Sequence, residues 1–155
     1  MSTTTHSEKP AFIRTEEAEP ISIGPESGLS VFVVFTSIDW TLKALEKARE
    51  MARLLGAGIA VIALQVVPYP LPLNEPPVSF EFVVRRFEEK AGQSPERMQV
   101  SAYLCRDPIE ALKRILNPNC PVVMSVRKKW WPTHDERLAR KLRGAGYDVI
   151  LVNQE

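Results

Sequence analysis

The chain is short of the residues that most often do chemistry. It has two histidines and two cysteines in 155 residues. His6 stands in the N-terminal stretch and His134 at a helix start, so no His/Cys cluster has the spacing of a metal site. Glycine is missing where a phosphate would need it. None occurs between Gly92 and Gly144. A loop that closes on phosphate does so with backbone N–H groups, and glycine lets the backbone approach. There is no Gly-x-Ser-x-Gly elbow and no P-loop lysine motif. A receiver-type phosphoacceptor is not expected either, because Phe35-Thr36 and Leu104-Cys105 stand where acidic residues would be needed. Catalysis therefore finds no support, and neither a cofactor nor a metal is expected.

Long apolar runs are also missing. None reaches the length that spans a bilayer. Met1-Ser2-Thr3-Thr4-Thr5-His6 has no basic start followed by an apolar core, so no secretion signal is expected. Cys105 and Cys120 fall at opposite edges of the predicted sheet, too far apart to bridge without distortion. Two free thiols suit a reducing cytoplasm, which is the expected location.

What is present is an ordinary globular composition with an uneven charge. The net charge is +1. Residues 1–28 carry Glu8, Glu16, Glu17, Glu19 and Glu26 against Lys9 and Arg14. Residues 127–143 carry seven Lys or Arg against Asp135 and Glu136. The first stretch also holds Pro10, Pro20 and Pro25 and no sustained apolar periodicity. It reads as a disordered or loosely attached tail. Phe12-Ile13 and Ile21-Ser22-Ile23 are its apolar spots, able to dock on the body or on a partner. Residues 29–155 read as one domain.

From Leu29 the pattern is regular. Val31 to Phe35 is a continuous apolar run, as for a strand covered on both faces. Asp39 is placed as the cap of a helix with Leu42, Leu45, Ala48, Ala52 and Leu55 on one face, stopped by Gly56 and Gly58. Ile59 to Val66 is the second strand. Pro68 to Pro77 is a rigid connection. A second helix sets Phe80, Val83, Val84 and Phe87 on one face. Met98 to Leu104 is the third strand, its weaker alternation suiting an outer position. Asp107-Pro108-Ile109-Glu110 opens a helix with cap, Pro at the first helical position and Glu three residues after the cap. Pro121 to Val126 is the fourth strand. Thr133-His134-Asp135-Glu136 repeats the capping pattern. Asp148 to Val152 is the fifth strand. Five strands alternating with four helices give an α/β fold, a five-stranded parallel sheet with helices on both faces. Ligands of such sheets sit outside the carboxyl ends of the strands, at the switch point.

Three segments carry a resemblance. Val66-Val67-Pro68-Tyr69-Pro70, Arg106-Asp107-Pro108-Ile109-Glu110-Ala111-Leu112 and Lys43-Ala44-Leu45-Glu46-Lys47-Ala48 look like the universal stress protein (UspA-like) family over roughly residues 29–153. The resemblance implies a Rossmann-like, adenine nucleotide alpha hydrolase-like sheet of order 3-2-1-4-5. It also implies an ATP cleft between the first and fourth strands, and dimerisation through the fifth. ATP-binding members carry an Asp at the end of the first strand, where this chain has Thr36. They carry a Gly-x2-Gly-x9-Gly-Ser/Thr pattern after the fourth strand. Its first glycine falls near Ser125 and its last pair near Asp135-Glu136, and no member of the pattern is present. Carboxylates at a helix N-terminus satisfy its dipole and repel phosphate. The resemblance is therefore to the branch without the ATP motif.

The expected function is a non-enzymatic UspA-like domain that does not hold ATP and acts as a dimeric stress, signalling or partner-binding module. An alternative is a sensor of a nucleotide or another small molecule, using a residual cleft of Thr36, Ser37, Val66, Ser125 and Arg127. For Thr36, Ser37 and Asp39 the plainer role is helix capping. Lys128, Lys129, Trp130 and Trp131 form a candidate protein-partner surface, since Trp and Arg are enriched at binding hot spots. A solvated loop with a Trp packed onto the core is the plainer reading. Basic residues beside aromatics also admit a nucleic-acid module, which the near-neutral charge argues against. Val149, Ile150, Leu151 and Val152 are the expected dimer edge.

Overall fold

A computed structural model describes residues 12–14, 29–67, 80–92, 98–127, 130 and 132–154. The strands are β1 (Phe12–Arg14), β2 (Ser30–Val34), β3 (Gly58–Val66), β4 (Met98–Cys105), β5 (Val122–Arg127) and β6 (Val149–Gln154). The helices are α1 (Ile38–Leu55), α2 (Phe80–Ala91), α3 (Pro108–Ile115) and α4 (His134–Gly144). The sheet order is β1-β4-β3-β2-β5-β6, and every adjacent pair is parallel. The five strands expected from the sequence are β2 to β6, and they stand in the expected order 3-2-1-4-5.

β1 is an addition to that expectation. Three residues of the N-terminal stretch lie beside β4, with Ile13 opposite Tyr103. β4 is thus one strand in from the edge rather than outermost. The remainder of residues 1–28, including Ile21-Ser22-Ile23, lies outside the described residues, as does the Pro68 to Pro77 connection.

β2 is central and buried along its whole length. Its alternation splits the core in two. Val31 and Val33 face α1 and α2, together with Ile59, Val61, Leu45, Ala48 and Phe87. Phe32 and Val34 face α3 and α4, together with Ile62, Leu112, Ile115, Met124 and Leu142. The apolar run of β2 follows from this, because neither face meets water. Burying each such side chain contributes about 1.5–3 kcal/mol.

Local signals set the helix ends. Asp107 caps α3, its Oδ1 accepting from the Ile109 N–H at 3.0 Å. Thr133 caps α4, its Oγ1 accepting from the Glu136 N–H at 3.3 Å. Gly56 ends α1 with φ 64°, a left-handed conformation that suits glycine. Two details of α1 differ from expectation. The cap is Ser37, and Asp39 sits in the first turn instead. Leu55 is 46% exposed rather than on the buried face, and Ala44 and Thr41 are buried in addition.

Candidate functional site

The chain reverses its direction of travel across the sheet between β2 and β5. α1 carries it from β2 to β3 on one side, and α3 carries it from β4 to β5 on the other. The carboxyl ends of β2 and β5 therefore frame the crevice where ligands of such sheets bind.

On the β2 side the backbone closes on itself. The Phe35 N–H donates to the Ile62 carbonyl at 2.9 Å, which holds the strand to its end. The Thr36 N–H donates to Thr41 Oγ1 at 3.0 Å. The Trp40 N–H donates to Ser37 Oγ at 3.3 Å, and the Thr41 N–H to the Ser37 carbonyl at 2.9 Å. Thr41 is fully buried. Its hydroxyl is the member of this cap that sequence inspection missed, because a threonine inside a helix looks like any other polar residue. Phe35 packs edge-on against Phe87 of α2, with centroids 5.5 Å apart.

The other expected residues are spread along the sheet. Val66 ends β3 and is 42% exposed. Arg127 ends β5, exposed, in register with Gln154. Ser125 is fully buried within β5, in register with Val152. Continuing the β2–β5 register from Val33 and Val123 sets Thr36 level with Val126. Thr36, Ser37 and Arg127 thus share the crevice mouth, whereas Ser125 belongs to the packed interior.

Charges of both signs lie at this end of the sheet. Asp39 occupies the first turn of α1, and its carboxylate lies 3.9 Å from Lys90 Nζ. Asp135 and Glu136 occupy the first turn of α4. Burial pushes the Asp135 carboxyl up, and the neighbouring His134 pulls it down by less. Two polar atoms at the strand ends lack partners: Thr36 Oγ1 and Gln65 Oε1 are buried without a hydrogen bond.

Of the basic and aromatic stretch, Trp130 is 91% exposed, so it is not a tryptophan packed onto the core. Lys128, Lys129 and Trp131 lie outside the described residues. Among the described residues no three metal-ligating side chains come together, and no helix is long and apolar enough to cross a membrane. Both cysteines are buried and free. Burial, with the nearby Asp107 carboxylate, pushes the Cys105 thiol up to about 11.

Val149 to Val152, the expected dimer edge, lie in β6. β6 is the last strand on its side of the sheet, and no described strand pairs with its outer edge. Ile150, Leu151 and Val152 are half-buried there.

Solved structures give the architecture a name. A universal stress protein from Archaeoglobus fulgidus in complex with dAMP superposes with a TM-score of 0.56 over 79% of this chain and 96% of that one, at 14% identity. The chain has the universal stress protein fold. A second universal stress protein structure from Archaeoglobus fulgidus matches with a TM-score of 0.53 over 79% of this chain and 92% of that one, at 18% identity. A universal stress protein in complex with cAMP matches with a TM-score of 0.52 over 82% of this chain and 98% of that one, at 16% identity. No protein-family model and no curated protein matches the sequence. The universal stress protein fold places the crevice between β2 and β5 at the centre of the sheet, with α1 and α4 presenting their N-termini at its carboxyl end.

Proposed function

We propose that this chain is a divergent UspA-like domain that works without catalysis and without ATP, as a cytoplasmic homodimer that binds a protein partner. The observation that carries the ATP-free reading is the state of the two helix N-termini at the crevice. Ser37 and Thr133 already accept from the N–H groups there, and Asp39, Asp135 and Glu136 add negative charge beside them. A bound phosphate would displace those caps and meet like charge within a few ångströms, without a glycine to open the backbone. Thr36 also stands where ATP-binding relatives have an acid. A role in stress or signalling follows from the resemblance in fold.

The homodimer is supported by how the two sheet edges are occupied. β1 lies along Ala102 to Leu104 of β4, so the described part of the N-terminal stretch occupies part of the edge opposite β6. Among the described residues no strand pairs with the outer edge of β6, and Val149–Gln154 contains neither charge nor proline to discourage a mate. A two-fold copy satisfies such an edge. Exposed Trp130 beside Arg127 supports a partner surface, extended in sequence by Lys128, Lys129 and Trp131. Two buried free thiols suit a reducing compartment. Sedimentation equilibrium at micromolar concentration tests the assembly: twice the chain mass supports it, and a clean monomer removes it.

A second reading has its own observation. Thr36 Oγ1 and Gln65 Oε1 are buried without partners at the ends of neighbouring strands, and a buried polar group left unpaired costs about 1–3 kcal/mol. A small molecule reaching them would recover that. Two structures of like fold hold dAMP and cAMP, so a nucleotide sensor is the form this reading takes. Mass spectrometry of small molecules released from denatured, freshly purified protein separates the two. A stoichiometric nucleotide favours the sensor, and none favours the ATP-free module.

A further inference from the structure

The β6 edge is partly closed by its own chain. The Val122 N–H donates to the Asp148 carbonyl at 2.8 Å, so Asp148 C=O points at β5. By the alternation of a parallel ladder, the peptide groups of Val149, Leu151 and Asn153 point outward, away from β5. One of those outward carbonyls is taken. Arg143, in the last turn of α4, donates to the Val149 carbonyl through Nε at 3.2 Å and through Nη2 at 2.7 Å. Charge-assisted forked bonds of this kind are among the stronger ones. Arg143 thus fills the acceptor with which an added strand would begin.

We infer that Arg143 sets the register in which a second copy of this chain adds to β6. The inference rests on the homodimer reading above. Outward residues of two antiparallel edge strands face each other as pairs that exchange both N–H···O bonds. A two-fold axis at Ile150 pairs Val149 of one copy with Leu151 of the other, and it needs the Val149 carbonyl twice. An axis at Leu151 pairs Val149 with Asn153 and needs it twice as well. An axis at Val152 pairs Leu151 with Asn153 and makes about four bonds using neither Val149 carbonyl. An axis at Asn153 also avoids that carbonyl but makes about two bonds within Val149–Gln154, so Arg143 leaves the axis at Val152 as the fuller register without a conflict. The segment that pairs is then Leu151 to Asn153, at the carboxyl end of the strand.

Cysteine cross-linking reads the axis directly. A residue on the two-fold axis of this kind meets its own mate at about 4.5 Å between Cα atoms, within the disulfide range of about 4.4–6.8 Å. Ile150 and Val152 are equivalent probes, both half-buried on the same face of β6. The native thiols are buried, so the introduced one is the accessible one. The full-length Val152→Cys protein should form a disulfide dimer under mild oxidation, and Ile150→Cys should stay reduced while still sedimenting as a dimer. Adding Arg143→Ala to Ile150→Cys frees the Val149 carbonyl and should raise its cross-linking at least several-fold. Equal cross-linking at Ile150 and Val152 with Arg143 present overturns the inference. So does a dimer that cross-links at neither position, or an Arg143→Ala change that leaves the Ile150→Cys yield unaltered. If the parent protein sediments as a monomer, the homodimer reading itself fails and the register goes with it.

Discussion

Thr41, fully buried in the first turns of α1, accepts the Thr36 N–H at 3.0 Å and so ties the end of β2 back to the helix that follows it. With Ser37 accepting from Trp40, the turn supplies its own partners. The N-terminus of α1 thus finds its partners within its own turn.

The bond makes a stability prediction. Thr41→Val keeps the shape but leaves the Thr36 N–H without its acceptor, which costs about 1–3 kcal/mol. Thr41→Ser keeps the acceptor and should cost distinctly less. Urea denaturation of the three proteins checks the order. A neutral Val and a costly Ser would mean that the methyl group, not the hydroxyl, matters at this position.

β1 changes what truncation should do. The polar, proline-containing stretch reads in sequence as a disordered or loosely attached tail, yet Phe12–Arg14 pairs with Ala102 to Leu104. The Val67 N–H donates to the Cys105 carbonyl, so Cys105 faces β3 and alternation turns the Ala102 and Leu104 peptide groups toward β1. Ile13→Pro removes the one N–H placed to reach them. The sheet should survive, because its core lies elsewhere. The expected cost is about 1 kcal/mol, or about 2–4 °C in melting temperature for a chain of this size. Hydrogen exchange on a truncation starting at Leu29, which also removes the Ile13 carbonyl facing the Leu104 N–H, should show the Leu104 amide losing protection. Unchanged protection would place β1 off the sheet.

Cys105 gives a pH prediction. Its thiol is pushed up from 9.0 to about 11, first by burial and then by Asp107. Between those values the native state keeps a proton that the unfolded chain releases. Stability is therefore fully present below about pH 9 and declines as pH rises toward 11. Cys105→Ala should flatten that decline in a series of denaturant melts. A thiol reagent at pH 8 should leave Cys105 unmodified until the protein is unfolded. Rapid labelling of the native protein would contradict this.

Trp130 should be neutral for folding. At 91% exposure its removal takes little apolar surface from the core, and Trp130→Ala should change stability by no more than about 0.5 kcal/mol. A loss of several kcal/mol would show that the ring packs on the body after all.

Much of this was legible in the residues. β2 and β3 are continuous apolar runs because both faces are covered, and such runs need no partner to be recognised. Asp107-Pro108 and Thr133 to Glu136 announce helix starts through local chemistry alone. What stayed hidden depends on distance. Phe12–Arg14 is too short for periodicity, and its partner lies some ninety positions away (~90, from the register with β4). Ser37 and Asp39 are both good caps, and the choice falls to Ser37 because β2 is held as far as Phe35 by Ile62. Arg143 looks like one more basic residue on a wet helix, and only the turn into β6 brings it to Val149. At the crevice, the missing glycines were visible at once. The burial of Ser125 was not, since a serine in a strand reads the same in a cleft as in a core.

The most direct test of the account is a calorimetric titration of the full chain with Mg-ATP. The capped and acid-flanked N-termini of α1 and α4 predict no binding heat at protein concentrations of tens of micromolar (~10–100 μM, a range that reports micromolar affinities). Saturable binding with micromolar affinity would contradict it, and would mean that the crevice yields its own caps to phosphate.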